Sequence, residues 1–163
     1  MKNFQDINLE CIKDMALPSI GKLSEQKGPQ KFIADLLLES GSFWKTDSTL
    51  HLGHRGENLI REVLLSHGFQ IHKSNWRTPF GEVDLVVTHV GFMLIAEIKT
   101  RKTFEAGDVE RVLSFRQKMR LKRAATWIWL KNKKQYSKFR CGLFIVTSRG
   151  IIWHNLPLLY DQA

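Results

Sequence analysis

Glu97 follows five consecutive apolar residues, Phe92 to Ala96, and is itself followed by Ile98 and Lys99. A run of this kind reads as a central β-strand covered on both sides. An uncompensated carboxylate in such a strand is strongly unfavourable, so Glu97 needs a cation, a metal ion or the edge of an open cleft. Side chains two apart on a strand point the same way, which puts Glu97 and Lys99 on one face with Met93 and Ile95. Asp84, in the preceding β-like run, is the obvious second carboxylate. It is expected to share a face with Glu82 and Val86, opposite Val83, Leu85 and Val87. Two carboxylates on neighbouring strands repel unless a hard divalent cation lies between them, and Mg²⁺ takes one or two carboxylates together with waters and phosphate oxygens. A lysine beside such an ion can orient a water or stabilise charge developing on a phosphate. Spacing alone leaves a second reading open, in which Glu97 with Lys99, or Asp84 with an arginine, form ordinary cross-strand ion pairs.

The elements that must hold these residues follow from periodicity. His54 to Ser66 reads as an amphipathic helix with Leu59, Ile60, Val63 and Leu64 as its apolar stripe, stopped by Gly68. Phe69 and Ile71 alternate with polar residues in a short strand, and Trp76 to Gly81, with Pro79, reads as a connection. Glu82–Thr88 and Phe92–Thr100 are two strands joined by His89 to Gly91 in an antiparallel hairpin. With Asp108 as N-cap, a helix is predicted from Val109 to about Asn132, bent near Ser114. A basic loop then leads to strands at Cys141–Thr147 and Ile151–His154, joined through Arg149-Gly150. Helix, three strands, helix, two strands is a mixed α/β order, with helices on the sheet. Residues 1–50, interrupted by Pro18, Gly21, Gly28, Pro29 and Gly41, read as an N-terminal extension of short helical pieces, the best at Lys31 to Glu39. Residues 51–163 form the main domain.

Charge is unevenly distributed over the 163 residues. The net charge is +9, yet residues 99–140 alone hold fourteen basic and three acidic side chains, with Trp127, Trp129 and Tyr136 among them. A basic segment with interspersed aromatics favours a polyanion, nucleic acid before membrane; a solvated helix face is the alternative. The longest apolar runs, such as FMLIA, are far short of the roughly 18 residues of a bilayer span. Residues 1–20 carry Asp6, Glu10 and Asp14, so no signal-peptide core is expected there. Cys11 and Cys141 are too far apart for a metal pair and read as packing residues, which makes a reducing cytoplasm the expected compartment. His51 and His54 read as loop histidines. Trp127 and Trp129 cannot share a helix face, so one at most is expected in the core, leaving the other for a base or a partner chain. Trp153 is expected to pack.

The pattern D-x(12)-E-x-K formed by Asp84, Glu97 and Lys99 resembles the PD-(D/E)XK signature of restriction-endonuclease-like nucleases. More specifically, GENLIREVLLSHGFQI, NWRTPFGEVDLVV and MLIAEIKTR, followed by a basic helix ending near AATWIWL, resemble in that order the YraN-like family of small uncharacterised proteins, which is similar to archaeal Holliday-junction resolvases. The resemblance covers about Gly53 to His154. It implies a restriction-endonuclease-like core, a central mixed sheet of about five strands flanked by helices.

It also implies roles. Asp84 and Glu97 would bind Mg²⁺ or Mn²⁺, aided by the Ile98 carbonyl. Lys99 would position the attacking water, and Glu57 would complete the site. From the sequence alone Glu57 also reads as a first-turn glutamate favourable to the helix dipole. Glu82 matches the GE of the family's GEIDL string as a supporting residue, and Asn75 and Arg77 match its N-x-R string, with Arg77 a phosphate contact. Where the family has lysine in the following helix this chain has Gln117, with Lys118 adjacent, and which of the two enters the site stays open. Arg101, Arg116, Lys118, Arg120 and Arg123 would hold nucleic acid. After the basic helix the family reads RFD, where this chain has Arg140, Cys141 and Gly142. The implied activity is a metal-dependent endonuclease acting on DNA rather than RNA, with branched DNA as substrate and a homodimer as the working form. The alternatives are a non-catalytic nucleic-acid-binding module on the same fold and a scaffold whose extension recruits a partner.

Overall fold

The computed structural model describes residues 41–46, 48–105 and 108–158. The helix expected at Lys31 to Glu39 and Cys11 lie outside the described residues. The elements, in chain order, are α1 (Gly41–Trp44), α2 (Thr49–Ser66), β1 (Gln70–Thr78), β2 (Gly81–His89), β3 (Phe92–Thr100), α3 (Val109–Val112), α4 (Phe115–Asn132), β4 (Lys138–Thr147) and β5 (Gly150–Asn155). The strands form one five-stranded sheet in the order β1-β2-β3-β4-β5. Only β3 and β4 are parallel, because the chain crosses over through α4 between them. This is the mixed α/β, restriction-endonuclease-like core expected from the sequence.

Two apolar layers cover the sheet. On one face, Leu59, Ile60 and Leu64 of α2 pack with Leu85, Val87, Leu94, Ala96, Ile98, Phe144 and Val146. On the other, Leu121, Ala124, Ala125 and Ile128 of α4 pack on Val86, Met93, Ile95, Leu143 and Ile145. Covered on both sides, β3 is buried at every residue except Lys99, which explains its unbroken apolar run.

Helix α2 starts at Thr49, earlier than the apolar stripe indicates, so His51 and His54 are helical rather than loop residues. Arg55 ties α1 to it by donating from Nη1 to the carbonyls of Ser42, Phe43 and Lys45 at 2.9–3.0 Å. The helix ends as Gly68 predicts. With Gly68 at φ 86°, its N–H reaches the Leu65 carbonyl and the Phe69 N–H reaches that of Leu64, a Schellman closure with buried Phe69 as its apolar seal.

Three expectations need correction. The segment Trp76–Thr78 is strand, not connection. β1 runs to Thr78, and the turn is confined to Pro79-Phe80. As an exposed edge strand bearing a register shift between Ile71 and Lys73, β1 shows no alternation to read. The long helix is broken rather than bent. Leu113 is extended (φ −115°, ψ 131°), and α4 restarts with a capping box in which Ser114 and Gln117 each hold the other's N–H. Asp108 precedes α3 but makes no side-chain cap. Finally, β4 begins at Lys138, three residues early. Gly142, where the RFD string departs, packs so tightly that a Cβ there would meet the Trp153 ring, and that ring lies 4.7 Å from Phe144. The tryptophans of α4 lie apart, as expected, and both are half-buried. Trp127 meets Trp76, while Trp129 stacks on Phe139 at 4.6 Å.

The β2–β3 turn is the pair Val90-Gly91, at φ 34° and 74°. Two successive positive φ values suit a type I′ hairpin, for which Asn-Gly is favoured and a β-branched residue is strained. Val90 is 91% exposed, so its side chain contributes little packing. Val90→Asn is expected to raise stability by about 1 kcal/mol, measured by urea unfolding with an unchanged m-value.

Candidate active site

Beyond the register shift in β1, the period-two alternation breaks again between Ser74 and Trp76, and the candidate site lies there. Asn75 on β1 is left-handed at φ 47°. Before it, Ser74 pairs with Leu85 and both face α2; Arg61 of α2 donates to Ser74 Oγ at 3.2 Å. After it, Trp76 pairs with Val83 and both lie in the α4 layer. Val83 therefore does not join Leu85 and Val87, as strict alternation predicts. Its side is exchanged across Asp84, and Asp84 points to neither layer.

Pairing between β2 and β3 stops at Leu85 and Ala96. Beyond that point Asp84 replaces the ladder, with Oδ2 accepting the Ile98 N–H at 2.7 Å. The N–H and C=O of one extended residue point to the same neighbour, so the Ile98 carbonyl is directed into the same gap. Burial pushes the Asp84 carboxyl up to about 6. The Glu97 carboxylate and, more weakly, Glu57 push in the same direction, against the lowering influence of the Ile98 N–H and Lys99.

Glu97 lies on the α4 side of β3 and is only 4% exposed. Lys99 Nζ donates to its Oε1 at 2.7 Å, and Arg120 Nη2 lies 3.8 Å from the same oxygen. Oε2 is buried without a hydrogen-bond partner among the described residues. One oxygen thus carries both cations, and the other is orphaned.

Glu57 stands well past the first turn of α2, so the helix-dipole reading of it fails. Gly56 brings it in, because a Cβ there would collide with Thr100 Oγ1 at the end of β3. Its Oε2 is 3.8 Å from His54 Nδ1.

The profile of the uncharacterised protein family UPF0102 matches residues 56–146, which span α2 from Gly56 through most of β4. The chain belongs to this family. A UPF0102 protein of Thermodesulfovibrio yellowstonii is 34% identical over 87 residues, covering 53% of this chain and 78% of its own length. One from Dictyoglomus turgidum is 30% identical over 111 residues, covering 65% and 93%. One from Renibacterium salmoninarum is 35% identical over 88 residues, covering 54% and 74%. UPF0102 is the YraN-like family that the sequence resembles.

In this UPF0102 chain Asp84, Glu97, Ile98 and Lys99 come together, and Glu57 is close enough to act on Asp84. Gln117 is not brought in, because its Oε1 accepts the Ser114 N–H at 2.9 Å in the capping box. Arg120, read from the sequence as a nucleic-acid contact, is the α4 residue at Glu97. Its place depends on Gly81, at φ 129°, where a Cβ would stand 2.7 Å from Arg120 Cδ. Nothing in the Gly81-Glu82 string indicates this approach from α4. Arg77 Nε pairs with Glu82 Oε2 at 3.3 Å on the surface of the first hairpin, so Glu82 supports that hairpin rather than the carboxylates. Arg101, Arg116 and Arg123 are exposed, and Lys118 is half-buried.

Raised to about 6 from 3.8, Asp84 binds its proton more tightly in the folded than in the unfolded chain. Its stabilising share is complete below pH 3.8 and is lost as pH rises through about 6. Asn at this position keeps an acceptor for Ile98 N–H and carries no charge. In EDTA, Asp84→Asn is expected to be more stable than the parent at pH 7.5 by on the order of 2 kcal/mol, with the difference vanishing near pH 4. Paired thermal melts at the two pH values check this.

Proposed function

We propose that the protein is a divalent-metal-dependent endonuclease that hydrolyses phosphodiester bonds in DNA. The observation that carries this reading is the buried Glu97, with one oxygen unpartnered among the described residues, beside an Asp84 carboxyl whose pKa is raised by burial and by that neighbour. A buried and a half-buried carboxylate that repel each other, with an orphaned oxygen and a backbone carbonyl in the same gap, make an all-oxygen donor set that suits Mg²⁺ or Mn²⁺. Asp84, Glu97 and the Ile98 carbonyl would hold the ion, with Glu57 at the margin. When bound, it supplies Lewis-acid polarisation of a phosphoryl oxygen and acidifies water.

The chain's own residues account for the rest of the chemistry. Lys99 shares its strand face with Glu97 and carries an ammonium at the carboxylates. There it orients the water and stabilises negative charge that grows at the phosphate. Arg120 offers a planar donor fork to a non-bridging phosphate oxygen, the part expected from the sequence of Gln117 or Lys118. Arg101, Arg116 and Arg123 supply salt-sensitive backbone affinity. Branched DNA in the cytoplasm is the favoured substrate by similarity to junction resolvases, and a twofold dimer would present two such sites to two strands.

One observation favours a second reading, a binding module without cleavage. Among the described residues no group of three His, Cys, Asp or Glu side chains converges well enough to hold a metal ion, and Glu97 Oε1 is closed by Lys99 and Arg120.

Lys99→Ala separates the two. For an enzyme, single-turnover cleavage of a branched DNA in Mg²⁺ or Mn²⁺ is expected to fall on the order of 10² or more, with binding in Ca²⁺ nearly unchanged. Glu97→Gln and Asp84→Asn are expected to abolish cleavage while the circular dichroism spectrum stays native. Equal losses in binding and cleavage for Lys99→Ala would defeat the catalytic assignment.

Triple replacement of Arg116, Arg120 and Arg123 by Ala is expected to weaken DNA binding without changing sequence preference. It should also flatten the dependence of log affinity on log salt by about one unit for each phosphate that loses its arginine. A salt titration by fluorescence anisotropy reads both effects.

A further inference from the structure

Arg116, Arg120, Arg123, Trp127 and Lys131 recur at i, i+4, i+7, i+11 and i+15 on α4, so they form one stripe about 22 Å long. Two of its residues, Arg120 and Trp127, lie against the β1–β2 hairpin. At one end Arg120 passes Gly81 and reaches Glu97. Farther along, Trp127 meets Trp76 of β1, their rings 6.3 Å apart and at 75°. Lys131 Nζ sits 4.1 Å from the centre of the Trp127 ring, and Lys73 Nζ 4.7 Å from that of Trp76. His72 continues the aromatic surface, 5.6 Å from Trp76 and 6.1 Å from Tyr136. Both lysines are exposed and both tryptophans half-buried.

We propose that this seam between α4 and β1 binds an unpaired strand of nucleic acid and leads it to or from the carboxylate site. Trp76 and Trp127 would stack on its bases, with Lys73 and Lys131 on its phosphates. Aromatic faces interleaved with cations along a backbone track are the means by which single strands are held without sequence preference. A duplex offers this surface only phosphates, because its bases are stacked on one another. An exposed ammonium over a ring is a weaker partner than a stacked base. Each lysine can therefore yield its ring to a base and keep a phosphate within reach. The seam starts at Arg120, so the strand would enter the metal site where unpaired and cleavable segments meet. That last point rests on the endonuclease reading; the binding itself does not.

The test measures binding of fluorescein-labelled oligothymidylate of about a dozen nucleotides, and of a blunt duplex of equal length, in EDTA by anisotropy. Trp76→Leu is expected to lower oligothymidylate affinity roughly tenfold or more and duplex affinity less than twofold. Lys73→Ala with Lys131→Ala, both at exposed positions, is expected to lower oligothymidylate affinity and flatten its salt dependence by about 1.4 units. Photocrosslinking of the unaltered protein to 5-iododeoxyuridine oligonucleotides keeps the idea testable should Trp76→Leu fail to fold. Adducts on Trp76 or Trp127 are expected.

Oligothymidylate affinity unmoved by the tryptophan and lysine changes, equal losses for single strand and duplex in Trp76→Leu, or adducts confined to other residues would overturn the proposal. If the protein cleaves DNA while Trp76→Leu binds oligothymidylate like the parent, this inference alone fails. If it binds single strands through Trp76 and never cleaves, the endonuclease reading alone fails.

Discussion

A carboxylate in the most buried of the described strands sets the terms for everything around it. Glu97 lies in β3 with both faces of the sheet covered, at 4% exposure. A charge there must be compensated, and the compensation comes from three elements. Lys99 reaches back along the same strand, Arg120 reaches over from α4, and the backbone opens on the β2 side to admit Asp84. That opening places a second carboxylate beside the first. Burial, and then the Glu97 charge, raise the Asp84 pKa, and Glu97 Oε2 has no partner among the described residues. Structural economy alone would favour an apolar residue at this position.

The sheet accommodates the opening through a single backbone irregularity shared by two strands. Asn75 in the left-handed region and Asp84 opposite it exchange the sides of the residues beyond them, so Trp76 and Val83 both turn to the α4 layer. Asparagine is among the few residues other than glycine that adopt this conformation readily. One irregularity thus serves two ends. It frees Asp84 to bond the Ile98 N–H, and it presents Trp76 to Trp127. Glycines do the complementary work at close approaches: Gly56 lets α2 bring Glu57 up to the end of β3, and Gly81 lets the Arg120 side chain through.

Periodicity and composition made much of this legible beforehand. The apolar stripe of α2 and its stop at Gly68, the β2–β3 hairpin, the mixed α/β order and the concentration of positive charge near α4 are local properties, and they appear as read. So does the Glu97–Lys99 pair on one face, because alternation along a single regular strand needs no tertiary information. The order of four motif segments added the family and with it the core fold.

What lay beyond the sequence is what depends on two distant segments meeting, or on a strand departing from its period. Edge strand β1 carries mixed polar residues, a register shift and a left-handed asparagine, so its length was hidden, and the sides of Asp84 and Val83 with it. The role of Gln117 was decided by a helix break at Leu113-Ser114, which converted it into a capping residue and left Arg120 to approach Glu97. No spacing rule links Arg120 to Gly81 or Trp127 to Trp76, since those approaches arise from how α4 lies on the sheet. The sequence alone therefore determined which residue types could do chemistry and on which regular elements they lie. Only the tertiary structure decided which of them share a site, because burial, pKa and partnership are properties of surfaces brought together by packing.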